Sequence, residues 1–266
     1  MRILAVDSSS MTGSAAILED DRIIAECALS LQRTHSERLM PAIDWLFSQS
    51  GLSVDQIDLF AVSTGPGSFT GLRIGLGTIK GLAFALHKPA IGVSTLMGLA
   101  AGVPAWNGTV ITLIDARHQH VFAAGFRVAG SGHGGGHGSG IAGGIGEGAD
   151  DGMGVTGSAG MPEYMASEAY CSVLELRDKI GHLKPPFLFV GDGAIANQEL
   201  LRTGFPESAF GGRAAAAVRA GDIGRVALWR WNNDPMADPE MLTPNYLRLS
   251  EAEIKLEKKD EACGTD

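Results

Sequence analysis

Apolar residues open the chain in short runs closed by polar turns, which is the rhythm of a sheet. Residues 2–8 read as a buried strand ending at the turn-prone Asp7-Ser8-Ser9-Ser10. Residues 14–18 and 22–29 follow as strands joined by the polar Glu19-Asp20-Asp21, so three strands precede any helix. The period then lengthens. Leu39, Ile43, Leu46 and Phe47 recur at helical spacing behind Thr34-His35-Ser36-Glu37, a capping box. Pro41 inside this pattern predicts a local kink or a slightly later start. Residues 59–64 form the next expected strand, Gly65-Pro66-Gly67-Ser68-Phe69 a loop, and residues 70–86 a helix. That helix holds Gly71, Gly75, Gly77 and Gly81. An interior glycine costs a helix about 1 kcal/mol relative to alanine, so four of them call for close approach to another backbone. Strands are expected over 90–93, 110–115, 120–126 and 187–190, and helices over 168–180 and 214–231.

Composition divides this pattern. Fifteen of the 31 residues from 130 to 160 are glycine, too little apolar surface to offset the entropy of ordering, so the stretch reads as a flexible loop. His133 and His137 within it have a metal-like spacing, but ordering a glycine run opposes a site there. The expected organisation is an N-terminal subdomain (1–105), a C-terminal subdomain (106–250) carrying the insertion 130–160, and a frayed charged tail (251–266). The 266 residues, 45% hydrophobic and 19% charged, allow substantial hydrophobic cores. A formal net charge of −9 opposes direct contact with a phosphate backbone, so any service to nucleic acid is expected to pass through another protein. Cys27, Cys171 and Cys263 lie too far apart for a CxxC motif and are too few for a disulfide framework. The apolar run before Asp7 is too short for a signal-peptide core, and no continuous run approaches about 18 residues, so a cytoplasmic chain without membrane contact is expected.

Three strand-end loops carry candidate chemistry. Asp7, Ser8 and Ser9 offer a carboxylate and hydroxyls, either for phosphate and metal-bound water or as a plain turn. Gly65 and Gly67 precede a helix whose N–H groups and dipole favour an anion, with a tight turn as the alternative. No Gly-Lys-Ser/Thr follows, and Lys80 lies well inside the helix, so this is not a Walker loop. Gly191-Asp192-Gly193 also joins a strand to a helix, either as a close approach for adenosine or as an ordinary turn. These eight residues are the candidate nucleotide or phosphate site. No Gly-x-Ser-x-Gly elbow falls on a strand–helix turn. His118 and His120 share a strand face but lack a third ligand, so neither a catalytic residue nor a metal site is expected.

Taken together, residues 3–9, 35–41, 65–75, 80–83, 92–96, 115–117 and 246–248 resemble the TsaB (YeaZ) family. The resemblance implies an actin-like ATPase (ribonuclease H-like) fold: two related α/β halves with mixed sheets flanked by helices. The Asp7 loop would match its first phosphate loop. A role follows in making N6-threonylcarbamoyladenosine next to the anticodon of tRNA. The family member is a non-catalytic scaffold that pairs with the transferase TsaD, alongside the ATPase TsaE, as a heterodimer or homodimer. It reaches tRNA only through the complex. ATP or ADP at a subunit interface is the candidate cofactor. TsaD-like proteins carry two metal-binding histidines in Val-Asn-His-x-x-Gly-His; here Thr95 and Leu99 stand in their places, and leucine cannot coordinate a metal. Helices over 36–49 and 70–86 are expected to dock on a partner, with Arg38, Leu39, Arg73, Gly75 and Gly81 as candidate interface residues. Two other readings stand beside this one. An independently active ATPase or sugar-kinase-type phosphotransferase would use Asp7 and both glycine loops, although Thr64 stands where such enzymes often place Asp. A glycoprotease-like hydrolase would need a nucleophile–base pair that the sequence lacks. The family pattern has no long glycine tract, so nothing carries over between about 130 and 162.

Overall fold

A computed structural model describes residues 1–30, 35–129, 160–234 and 238–248, with the side chains of 35–38 left out. The glycine-rich insertion, His133, His137, the capping-box Thr34, the Arg38 side chain, Cys263 and the charged tail therefore lie outside the described residues.

Residue patterning builds one sheet from β1 (Arg2–Asp7), β2 (Gly13–Glu19), β3 (Arg22–Leu29), β4 (Leu59–Gly65) and β5 (Ala90–Ser94). Its order is β3-β2-β1-β4-β5, with the first three strands antiparallel and β4 and β5 parallel to β1. Helices α1 (His35–Ser50) and α2 (Phe69–Leu86) supply the crossovers, and α3 (Thr95–Ala101) follows β5. The second sheet uses β6 (Thr109–Asp115), β7 (His120–Arg127), β8 (Glu163–Ser172), β9 (Phe187–Val190) and β10 (Ala209–Phe210). Its order, β10-β9-β6-β7-β8, repeats the first: a central strand with a meander on one side and parallel strands on the other. Short helices α4 (Leu176–Ile180), α5 (Asp192–Ala196) and α6 (Gln198–Gly204) belong to this half, and α7 (Ala220–Asn233) closes the chain's helical part.

Strand alternation sorts the side chains into layers. Leu4, Val6 and Ile17 face Leu39, Ile43, Leu46, Leu76 and Ile79 of α1 and α2. On the opposite face Ile3, Ala5, Leu18 and Ala61 meet Leu96 and Leu99 of α3, Ile223 and Val226 of α7, and Phe122 and Phe126 of the second sheet. Helices α3 and α7 thus belong to the layer shared by the two sheets. The outer face of the second sheet is sealed by Leu176, Ile180 and Leu201 over Leu113 and Phe189.

Two expectations are corrected. Residues 168–180 do not form one helix; residues 163–172 pair with β7 as a strand, and only α4 is helical. Ser172 and the Glu175 carboxylate then make a turn that ends the strand. The alanine run at 214–217 belongs to a 3₁₀ turn and the bend after it, and α7 starts at Ala220. Of the kink and the later start expected at Pro41, the later start is not seen: α1 begins at His35 with Pro41 inside it. Helix α2 is interrupted by Arg73 and Lys80, so it holds no continuous apolar run, although by length and composition it could cross a membrane. Its Leu72, Leu76, Ile79 and Ala83 are nevertheless buried as core side chains. Helix α3 was not expected; its signal is Ser94, whose hydroxyl accepts the Met97 N–H at 3.3 Å, ahead of Leu96, Leu99 and Ala100.

Candidate functional site

The loops after β1, β4, β6 and β9 wall a cleft of about 640 Å³, the position where open α/β sheets place ligands. Ser9, Gly67 and Ser68 line the first-lobe wall, Asp115, Arg117 and Asp192 the second, and Asn245 to Arg248 a third side. The fold thus brings the three candidate loops together.

Several of their polar atoms are engaged within the protein. Asp7 is fully buried and does not line the cleft. Its Oδ1 accepts the Ser9 N–H at 3.2 Å. Burial pushes its carboxyl above the ordinary value, offset in part by the Ser63 and Ser9 hydroxyls. Neither hydroxyl completes a well-formed hydrogen bond to Oδ2, which has no partner among the described residues. Ser8 Oγ donates to the Gly71 carbonyl at 2.8 Å. Ser68 N–H donates to the Ser9 carbonyl at 2.6 Å, and Ser68 Oγ caps α2 by accepting from Gly71 N–H at 3.2 Å.

The glycines are accounted for in the same way. A Cβ on Gly67 would collide with the Ser9 carbonyl, and one on Gly75 with Ser8 Oγ. Gly191, at φ +102°, abuts the Leu113 carbonyl, and a Cβ on Gly193 would lie 2.9 Å from the Ile114 carbonyl carbon. Within the chain, the close approach at Gly191-Asp192-Gly193 is to β6. Asp192 Oδ1 accepts the Asp115 N–H at 2.9 Å. Burial, and then the neighbouring Asp115 charge, raise its pKa. Two carboxylates at this wall oppose a polyphosphate. Of the eight candidate nucleotide or phosphate residues, Ser9, Gly67 and Asp192 line the cleft, while Asp7, Ser8, Gly65, Gly191 and Gly193 lie behind its wall.

The interface candidates separate. Leu39 is 4% exposed and packs under α1, and Gly75 is equally internal, so both leave the surface. Nothing lies within 4 Å of a Cβ on Gly77 or Gly81. Around these glycines α2 exposes Arg73 and Phe84, the latter at 69%, while α1 exposes Met40 and Trp45. Arg73 is held over the Phe69 ring at 4.0 Å and donates to Tyr246 Oη at 3.0 Å.

Thr95 and Leu99 sit on α3, both buried; Leu99 packs in the core between the sheets, and Thr95 Oγ1 has no partner among the described residues. The His120 ring stacks on Tyr170, with Nδ1 2.9 Å from the His118 carbonyl oxygen. Sequence reasoning missed a polar junction. Glu168 on β8 accepts from Ser94 Oγ, from Tyr164 Oη at 2.8 Å and from Asn245 Nδ2 at 2.8 Å. No local signal marks it, because its members are up to 151 positions apart in sequence (Ser94 to Asn245) and meet only after both sheets form.

Two sheets of one topology, sharing a helical layer and a cleft at their strand ends, define an actin-like α/β protein. The family model for tRNA N6-adenosine threonylcarbamoyltransferase (TsaD) matches residues 23–256. The chain belongs to that family and, within it, to the TsaB (YeaZ) group, and so to tRNA threonylcarbamoyladenosine biosynthesis. The TsaB of Bacillus subtilis (strain 168) is 27% identical over 256 residues, 96% of this chain and 97% of that protein. The TsaB of Escherichia coli (strain K12) is 41% identical over 129 residues, 48% of this chain and 55% of that protein. A solved YeaZ from Pseudomonas aeruginosa shares the fold, with a TM-score of 0.65 at 24% identity over 92% of this chain and 99% of that one.

Proposed function

We propose that this chain is a scaffold subunit for the modification of tRNA, pairing with a TsaD transferase, and with TsaE, through the exposed face of α1 and α2. The observation that carries the reading is the split character of α2. Its buried face is ordinary core, while its outer face presents Gly77 and Gly81 with open space beside an exposed Phe84. Bare glycines let a partner helix approach closely. Full burial of Phe84 or Met40 would contribute about 1.5–3 kcal/mol each. A non-catalytic role is supported by Leu99, an apolar core residue where the family's transferases carry a metal ligand.

The test is a Gly81→Leu variant of the full chain, mixed with TsaD from the same organism. The expected result is a folded protein whose affinity falls by about tenfold or more, as blocking a closely packed contact demands. Full affinity in a folded variant overturns the docking face. Omitting this chain from a reconstitution with TsaD and TsaE should abolish tRNA modification; undiminished modification overturns the scaffold reading.

A further inference from the structure

Residues 242–248 run from the first lobe to the second. Leu242 is buried in the core beneath α1 and α2. Asn245 N–H donates to the Thr64 carbonyl at 2.7 Å. Its own carbonyl passes Gly65, where a Cβ would lie 2.7 Å away, and Gly65 has φ +114°. The space beside Gly65 is thus filled by the chain's own backbone.

From there the Asn245 side-chain amide reaches Glu168 Oε2 on β8, in the second sheet, at 2.8 Å. The other oxygen of Glu168 accepts hydrogen bonds from the hydroxyls of Tyr164 on β8 and Ser94 at the end of β5, so one carboxylate ties both sheets to the segment. Tyr246 returns to the first lobe, stacked on Phe69 with ring centroids 4.6 Å apart. Arg248 then sits 5.5 Å over the Tyr170 ring of β8. Successive side chains grip alternate lobes.

We propose that residues 242–248 form an intramolecular clasp that holds the two lobes at one separation, in the bridging place a nucleotide would take. The lobe spacing of this chain is then set by its own polypeptide and does not respond to nucleotide. The proposal concerns the isolated subunit and is independent of which protein docks on α1 and α2.

Paired spin labels measure the spacing. Asp21→Cys and Glu199→Cys place one label on each lobe at exposed positions, in a full chain with Cys27, Cys171 and Cys263 replaced by alanine. The expected result is one narrow distance population, unchanged by millimolar Mg-ATP. In Tyr246→Ala and Asn245→Ala it shifts to longer, broader distances. Asn245→Ala removes only the amide to Glu168, so it carries the test if Tyr246→Ala does not fold. A wild-type spacing that changes with Mg-ATP, or a narrow unshifted population in folded Asn245→Ala, overturns the clasp.

Discussion

Asp7 is a carboxylate shielded from bulk solvent, and its chemistry is that of a buried acid. Its folded pKa lies above the ordinary value of 3.8. As pH rises, the unfolded chain releases this proton first, so stability falls from about pH 3.8 up to the folded pKa and stays lower above it. Asparagine keeps the acceptor for Ser9 N–H and cannot ionise. Asp7→Asn is therefore expected to raise the melting temperature at pH 7 by about 2 °C or more, a gap that closes as the pH approaches 3.8. Calorimetry across that range checks it; a variant less stable at pH 7 would show that the charged form is needed. At Gly191 the outcome is opposite in sign. Alanine there meets both a left-handed φ and the Leu113 carbonyl, and should cost roughly 2 kcal/mol or more in urea unfolding. At this scale the sequence located the loops correctly, because glycine and short polar residues mark strand ends whatever they serve. It could not say what each glycine makes room for. Phosphate, adenosine and a strand carbonyl all require the same missing Cβ, and only the folded neighbours, Ser9, Leu113 and Asn245, decide among them.

Elements were legible where the sequence carries their stop signals locally. Strands β1 to β7 follow apolar runs bounded by turns, and α2 follows its serine cap. Helix α7 shows the limit. Its first N–H groups are capped from far away: Ala220 N–H donates to Ser14 Oγ at 3.0 Å and Gly221 N–H to Glu26 Oε1 at 2.8 Å. Arg219 also pairs with Glu26. No residue near 220 announces the start, and the alanines before it have the better helix propensity. Glu26→Ala should therefore behave as the loss of a cap and cost about 1 kcal/mol or more in chemical denaturation, although it lies on β3. An unchanged midpoint would mean that water caps α7 equally well. The same contrast holds along α2. Gly75→Leu forces a side chain against Ser8 and should lower stability by about 1–3 kcal/mol or more, whereas Gly81→Leu points into open space and should leave the melting curve in place. Strand β8 was misread because Glu168, Ala169 and their neighbours suit a helix; the ladder to β7 outweighed that preference.

The whole molecule carries a formal net charge of −9. The isolated chain should thus leave tRNA unretarded in a gel-shift assay at physiological salt, and retardation by this chain alone would locate a basic surface that the composition does not suggest. Most strands of both sheets follow from periodicity that was readable in the sequence, but β8, β10, helix α3 of the shared layer and the junction of Ser94, Tyr164, Glu168 and Asn245 were not. The junction's residues are separated by long stretches of chain, and pairwise spacing says nothing about contacts made between two lobes. One feature of the architecture also bears on synthesis. The inner face of the first sheet is complete once Ser94 has been made, yet α7, which covers Ala5 and Leu18, begins about 125 residues later. At about 5–20 residues per second, a growing chain carries that apolar face uncovered for roughly 6–25 s as it leaves the ribosome. A nascent-chain chaperone that binds exposed aliphatic strands would find its longest opportunity in that interval, and the last helix to emerge would end it.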